Sequence, residues 1–130
     1  MQKSTPSEFL LLSRGKWDPD KSADEIQAAI DSFYDWHAQL VVEGKFRPGQ
    51  RLATDSKLVS RTGVIDGPFT ESKEVIGGYW FVIASSLDEA AAIAAANPCL
   101  ACGLSFEIRP IEAGRASARR ISNETPVHRG

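Results

Sequence analysis

Cysteine is scarce in this sequence, with two residues among 130, so no disulfide framework is expected. No apolar run approaches the roughly 20 residues that span a bilayer, and no membrane-spanning helix is predicted. The opening segment from Met1 to Ser7 is polar and lacks the apolar stretch of a secretory signal. A cytoplasmic location is the resulting expectation. Net charge is also small, −2, which gives no reason to expect nucleic acid or an anionic membrane as the main partner. The phosphate-binding P-loop, the G-x-G-x-x-G turn, the G-x-S-x-G elbow and the H-E-x-x-H helix are all absent, and no cofactor is expected. Cys99 and Cys102 do form a C-x-x-C. They follow a helix and Pro98, however, where a redox-active pair opens a helix. A structural zinc needs four ligands, and neither a second cysteine pair nor a suitable histidine pair is present. No metal site is predicted.

What remains is ordinary globular material. The length fits one domain, and 42% hydrophobic with 25% charged residues predicts a packed core. The domain is expected over residues 1–113, followed by a flexible polar tail over 114–130. Arg115, Arg119, Arg120 and Arg129 make that tail basic, but without interleaved aromatics it reads as solubilising or subunit-crossing.

The pattern along the chain predicts a mixed α+β fold. Phe9 to Leu12 is apolar at successive positions and suits a strand buried on both faces. Ser22 and Glu25 have the spacing of a capping box, and Ile26, Ala29, Ile30, Phe33, His37, Leu40 and Val41 then make one helical stripe, stopped by Gly44. Arg47 to Gln50, with Pro48 and Gly49, reads as a loop. Leu52–Ala53, Lys57–Ser60 and Val64–Asp66 read as short strand pieces. Gly77 and Gly78 precede the central strand, Tyr79 to Ala84. There Tyr79, Phe81 and Ile83 share one face, and Trp80, Val82 and Ala84 the other. Ser86 and Glu89 repeat the capping spacing before a second helix that ends at Asn97-Pro98. Leu104 to Arg109 alternates as a last strand.

Strand, helix, strands, then strand, helix, strand is a ferredoxin-like β-α-β-β-α-β plan, an antiparallel sheet with two helices on one face and a hairpin inserted between the halves. Two helices cover one side only, yet both long strands are apolar on both sides. Leaving the second side wet would cost several kcal/mol at roughly 25 cal/mol per Å². The expectation is a homodimer in which two sheets face each other across a two-fold axis. Glu107 and Arg109 are expected to point into the same cleft as Trp80 and to line a ligand site there.

One segment is distinctive: Asp66-Gly67-Pro68-Phe69-Thr70-Glu71-Ser72-Lys73-Glu74, running through Val75-Ile76-Gly77-Gly78-Tyr79. Ser86-Leu87-Asp88-Glu89-Ala90 and Glu107-Ile108-Arg109-Pro110-Ile111 follow in order. This succession resembles the YCII-related family, in its DGPF branch, from about Phe9 to Ile111. The resemblance implies a ferredoxin-like dimeric barrel, a cleft around the Asp-Gly-Pro-Phe turn, and genetic association with extracytoplasmic sigma factors. A related branch includes an enzyme that removes chloride from a chlorinated hydroxyquinol, using a histidine on the first helix and a nearby acid. Aligned on Glu43-Gly44, Phe33 stands where that histidine would be, and His37 lies one turn later.

The candidate site residues follow. Asp66 and His37 are the candidate acid–base pair, His37 because its ordinary pKa lies nearest neutrality. Phe69, Glu71, Lys73, Trp80, Glu107 and Arg109 are the candidate ligand-binding residues. Two readings remain open: a small-molecule-binding accessory or regulatory protein acting beside a sigma factor, and a cofactor-free enzyme doing acid–base chemistry on a small aromatic substrate.

Overall fold

A computed structural model describes residues 5–68 and 75–126. The strands β1 (Ser7–Arg14), β2 (Phe46–Arg51), β5 (Ile76–Ala84) and β6 (Ser105–Pro110) form a four-stranded sheet in the order β2-β5-β1-β6. Every pairing in it is antiparallel. Two further strands, β3 (Lys57–Ser60) and β4 (Gly63–Asp66), pair only with each other. The connectivity is β-α-β-β-α-β with this hairpin inserted between the halves.

Both helices start where their side chains can replace missing backbone partners. α1 (Ala23–Val42) opens on a full capping box: the Glu25 N–H donates to Ser22 Oγ, and the Ser22 N–H donates to Glu25 Oε1, each at 3.1 Å. Its end is fixed by Gly44 at φ +74°, with the Lys45 N–H donating to the Leu40 carbonyl at 2.9 Å. α2 (Leu87–Ala94) repeats only half of the box. The Glu89 N–H donates to Ser86 Oγ, but the Glu89 carboxylate accepts from the Ser85 N–H, one residue outside the expected partner.

The helices lie on one side of the sheet, over a core of Phe9, Leu11, Trp80, Val82 and Ala84 from the strands with Phe33, Leu40, Ala90 and Ala94 from the helices. Leu11 and Val82 are wholly enclosed. A 3₁₀ helix (Pro98–Cys102) closes one end. Asn97 caps it by accepting from the Cys99 N–H, and the Cys102 carbonyl accepts from the Asp18 N–H at 2.8 Å. Residues 111–126 contain turns but no helix or strand. Among the described residues no helix is long and apolar enough to cross a membrane.

Two expectations need correction. Leu52–Ala53 is not a strand. More consequentially, Arg47–Gln50 is no loop but most of β2, an edge strand of the sheet. Its register opposite β5 runs Phe46 to Val82, Arg47 to Phe81, Gln50 to Tyr79 and Arg51 to Gly78. Pro48 and Gly49 therefore both stand against Trp80, which is a β-bulge with one extra residue. Proline is tolerated there because edge strands and bulges do not need its missing N–H.

Candidate functional site

The bulge decides where Arg51 goes. Side chains alternate across a strand with period two. Phe46 faces the helices, so without the extra residue Arg51 would fall on the opposite face. With it, Arg51 pairs with Gly78 and shares the helix-side face with Trp80. Gly78 and Gly77 keep the space open. A Cβ on Gly77 would lie 3.0 Å from Arg51 Nη1 and 3.4 Å from Ser13 Oγ, and a Cβ on Gly78 would lie 2.9 Å from the Trp80 ring. The guanidinium and the Ser13 hydroxyl thus converge over a bare stretch of backbone at the end of the sheet.

Two adjoining hollows meet at this point. The inner one, about 90 Å³, lies between α1 and the sheet, with Phe33, Trp80, Leu104 and Phe106 as apolar walls and Tyr34 and Trp17 toward the rim. The outer one, about 400 Å³, shares Ser13, Trp17, Arg51 and Leu104 with it and adds Lys16 and Gly77. Among the described residues no aspartate or glutamate lines either hollow, and none lies within ion-pair distance of Arg51 or Lys16. A third surface, which runs on from Arg51 past Asp55 to Pro68, reaches the Gly-Pro turn of the distinctive segment. The arrangement is an apolar chamber with cations at its mouth.

Cys99 borders the inner hollow. Burial, with Cys102 nearby, pushes its thiol up to about 11 against the smaller opposing pull of Arg51. It is therefore a neutral wall at physiological pH and not a nucleophile. Both thiols turn toward α1 carbonyls, Cys99 to Ala29 and Cys102 to Glu25.

The residues expected from the sequence scatter. Trp80 is buried in the core, edge-on to Phe33 at 5.2 Å between ring centres. Its register partner Leu11 also faces Ile108, whereas Glu107 pairs with Leu12 and Arg109 with Leu10. Trp80 and the Glu107–Arg109 pair thus stand on opposite faces of the sheet and share no cleft. Glu107 instead accepts from Arg14 at 3.1 Å and Arg109 at 3.3 Å on the open face.

Asp66 sits at the end of the separate hairpin, exposed and paired with Lys57. His37 lies on α1 with Phe33 and Phe46 at 5.8 and 5.3 Å between ring centres, and its Nε2 is buried without a hydrogen-bond partner. The structure does not bring Asp66 and His37 together as an acid–base pair. Phe69, Glu71 and Lys73 lie outside the described residues. Arg51, Lys16 and Ser13 were not singled out from the sequence, because the bulge that groups them is visible only in the pairing of β2 with β5.

The setting of His37 carries a testable consequence. Burial holds its pKa below the ordinary 6.5. An unfolded chain then binds the proton more readily than the folded one, so stability contributed by neutral His37 is present above about pH 6.5 and is lost as pH falls below it. Thermal melts at pH 7.5 and 5.5 should show a larger fall for the native chain than for His37→Phe. An equal fall in both would assign the acid sensitivity to other groups.

A family model described as the YCII-related domain matches residues 9–113. The chain is 38% identical over 81 residues to an uncharacterised protein of Rhizobium meliloti (strain 1021), a match covering 55% of this chain and 63% of that protein. The chain thus spans less than two-thirds of that relative. Among solved structures, a 5-chloro-2-hydroxyhydroquinone dehydrochlorinase from Burkholderia phenoliruptrix AC1100, in complex with 2,5-dihydroxybenzoquinone, aligns over 83% of this chain and 96% of its own, at 20% identity and a TM-score of 0.45.

Proposed function

This chain belongs to the YCII-related domain family, and on that premise we propose that it is a small-molecule-binding accessory or regulatory protein whose ligand enters the cleft at Arg51. The observation that carries the reading is an exposed guanidinium brought by the Pro48–Gly49 bulge to the mouth of an apolar hollow under α1, with no described carboxylate in ion-pair distance. Apolar walls with a few converging polar groups are the usual make-up of a ligand site. Nothing in this reading requires a proton-transfer pair. The regulatory side takes an extracytoplasmic sigma factor as protein partner from the family resemblance.

A thermal-shift screen against a metabolite library tests it. A ligand at 100 times its dissociation constant adds about 2.7 kcal/mol to stability. Hits that Arg51→Gln weakens support the cleft. Hits that all survive this change and respond to a change at Asp66 would move the site to the hairpin.

The quaternary part of the proposal is a face-to-face homodimer forming the dimeric barrel. Leu10, Leu12, Tyr79, Phe81 and Ile83 form a half-exposed apolar band on the side away from the helices. Charged pairs fringe it, Arg47 with Glu8 on one edge and Arg14 and Arg109 with Glu107 on the other. The Arg47 guanidinium lies 3.8 Å above the Phe81 ring, and its hydrogen bonds hold the Glu8 carboxyl below its ordinary range. Stable interfaces bury about 800 Å² per partner, and a two-fold pairing through this face would take the band out of water. Sedimentation at micromolar concentration should give twice the 14.2 kDa chain mass. Phe81→Glu, which places a charge at the centre of the band, should give the single-chain mass. A native chain that sediments at 14.2 kDa contradicts the dimer.

A further inference from the structure

The cleft also constrains the chemistry of what it holds. We infer that its ligand is a small monocarboxylate on a compact, flat, apolar body, with the carboxylate on Arg51 and Ser13 and one edge of the body in the inner chamber. This deepens the proposal above and rests on the cleft being a ligand site.

Three observations converge on this class. The first is charge. Arg51 and Lys16 are the ionic groups lining the two hollows among the described residues, and no acid offsets them there. Both side chains are exposed at the mouth, and with no described acid in ion-pair distance their summed positive field attracts an anion from solvent. The second is shape. Arg51 Nη1 and Ser13 Oγ stand 3.0 and 3.4 Å from where a Gly77 Cβ would lie, so the two groups are neighbours that one planar anion can bridge. A guanidinium presents parallel N–H donors that match a carboxylate two-for-two. The third is size and polarity. The inner chamber measures about 90 Å³, with Phe33, Trp80, Leu104 and Phe106 as walls, whereas a cavity of about 150 Å³ encloses a whole benzene ring. It therefore takes the edge of a ring or a short branched chain, while the rest of the ligand lies in the outer hollow of about 400 Å³. A phosphate ester brings nearly two charges and a strongly held water shell to a neck with apolar walls, and suits it poorly. A cation is opposed by both ionic groups.

Calorimetric titration at low salt tests this with benzoate, isovalerate, benzamide, benzylamine and inorganic phosphate. Benzoate or isovalerate should bind, and the stronger of the two tells whether the body is aromatic or aliphatic. Benzamide, the neutral match of benzoate, should bind about 10- to 100-fold more weakly, and benzylamine not at all. Arg51→Gln should lose the same factor, with its thermal melt confirming a folded chain. Gly77→Ala, whose new methyl meets the tip of the flexible Arg51 side chain, should weaken binding while leaving the fold intact. Benzamide binding as tightly as benzoate overturns the carboxylate assignment, and so does inorganic phosphate binding more tightly than either acid. The same holds if neither acid binds up to about 10 mM. If the library screen still yields neutral ligands that depend on chamber residues, the ligand-site reading survives and this inference alone fails.

Discussion

Replacing Trp80 by alanine lowers the free energy of unfolding by about 3–5 kcal/mol, a large share of the roughly 5–15 kcal/mol that holds a domain of this kind together. The indole is 5% exposed, with Phe33 at 5.2 Å and Phe106 at 6.4 Å between ring centres. It sits on β5, an inner strand of the sheet, in register with Leu11. Its removal opens a cavity that strand backbones on both sides hold in shape, so collapse recovers little. Urea titration reads the loss directly, with the midpoint moving and the slope unchanged. Trp80→Phe keeps an aromatic edge against Phe33 and should lose markedly less. A Trp80→Ala chain as stable as the native one would place this residue outside the core.

Gly49→Ala is the second large effect, and it acts on backbone rather than on a side-chain cluster. A Cβ at this position would stand 1.8 Å from the Tyr79 carbonyl oxygen and 2.6 Å from its carbon. Those atoms belong to β5 and cannot move aside as a flexible side chain can. The expected cost is about 3 kcal/mol, the upper end for overpacking. Gly44→Ala provides the contrast. Gly44 has φ +74° but no atom within 4 Å of a new Cβ, so only left-handed backbone strain of about 1 kcal/mol is expected. The two substitutions also differ in function. Losing the bulge puts Arg51 on the other face of β2, so any Gly49→Ala chain that remains folded should lose the anion preference, and Gly44→Ala should keep it. Equal costs for the two would show that β2 does not approach β5 this closely.

The contrast between these residues shows what was legible in the sequence. The parity of Tyr79 to Ala84 was plain, because a strand apolar on both faces leaves both sets visible. The full capping box at Ser22 and Glu25 was equally local. Which of the two faces meets the helices was not legible, since both are apolar. Register with Phe46 and Leu11 settles it, and that is why Trp80 was grouped with Glu107 and Arg109. The strand β2 was hidden for a related reason. Pro48-Gly49 carries the local signature of a turn, and it lies in a strand only because Tyr79 and Trp80 pair across from it. Arg51 inherits that concealment. Its role depends on a two-against-one match between distant segments, which no spacing within the chain records. Asp66 and His37 had the opposite history. Each has a suitable side chain, but one ends in an ion pair on the hairpin and the other among aromatic rings.

The three indole N–H groups offer the most direct measurement. Trp17 and Trp80 border the inner hollow at Arg51, whereas Trp36, on α1, packs on Phe46 with 5.3 Å between ring centres and is not among the residues that line it. In a ¹H–¹⁵N correlation spectrum titrated with benzoate, the Trp17 and Trp80 signals should move together while Trp36 stays in place, and Arg51→Gln should suppress both shifts. Perturbation confined to backbone amides of the Leu10, Tyr79 and Phe81 face, with all three indoles still, would contradict a ligand cleft beneath the helices.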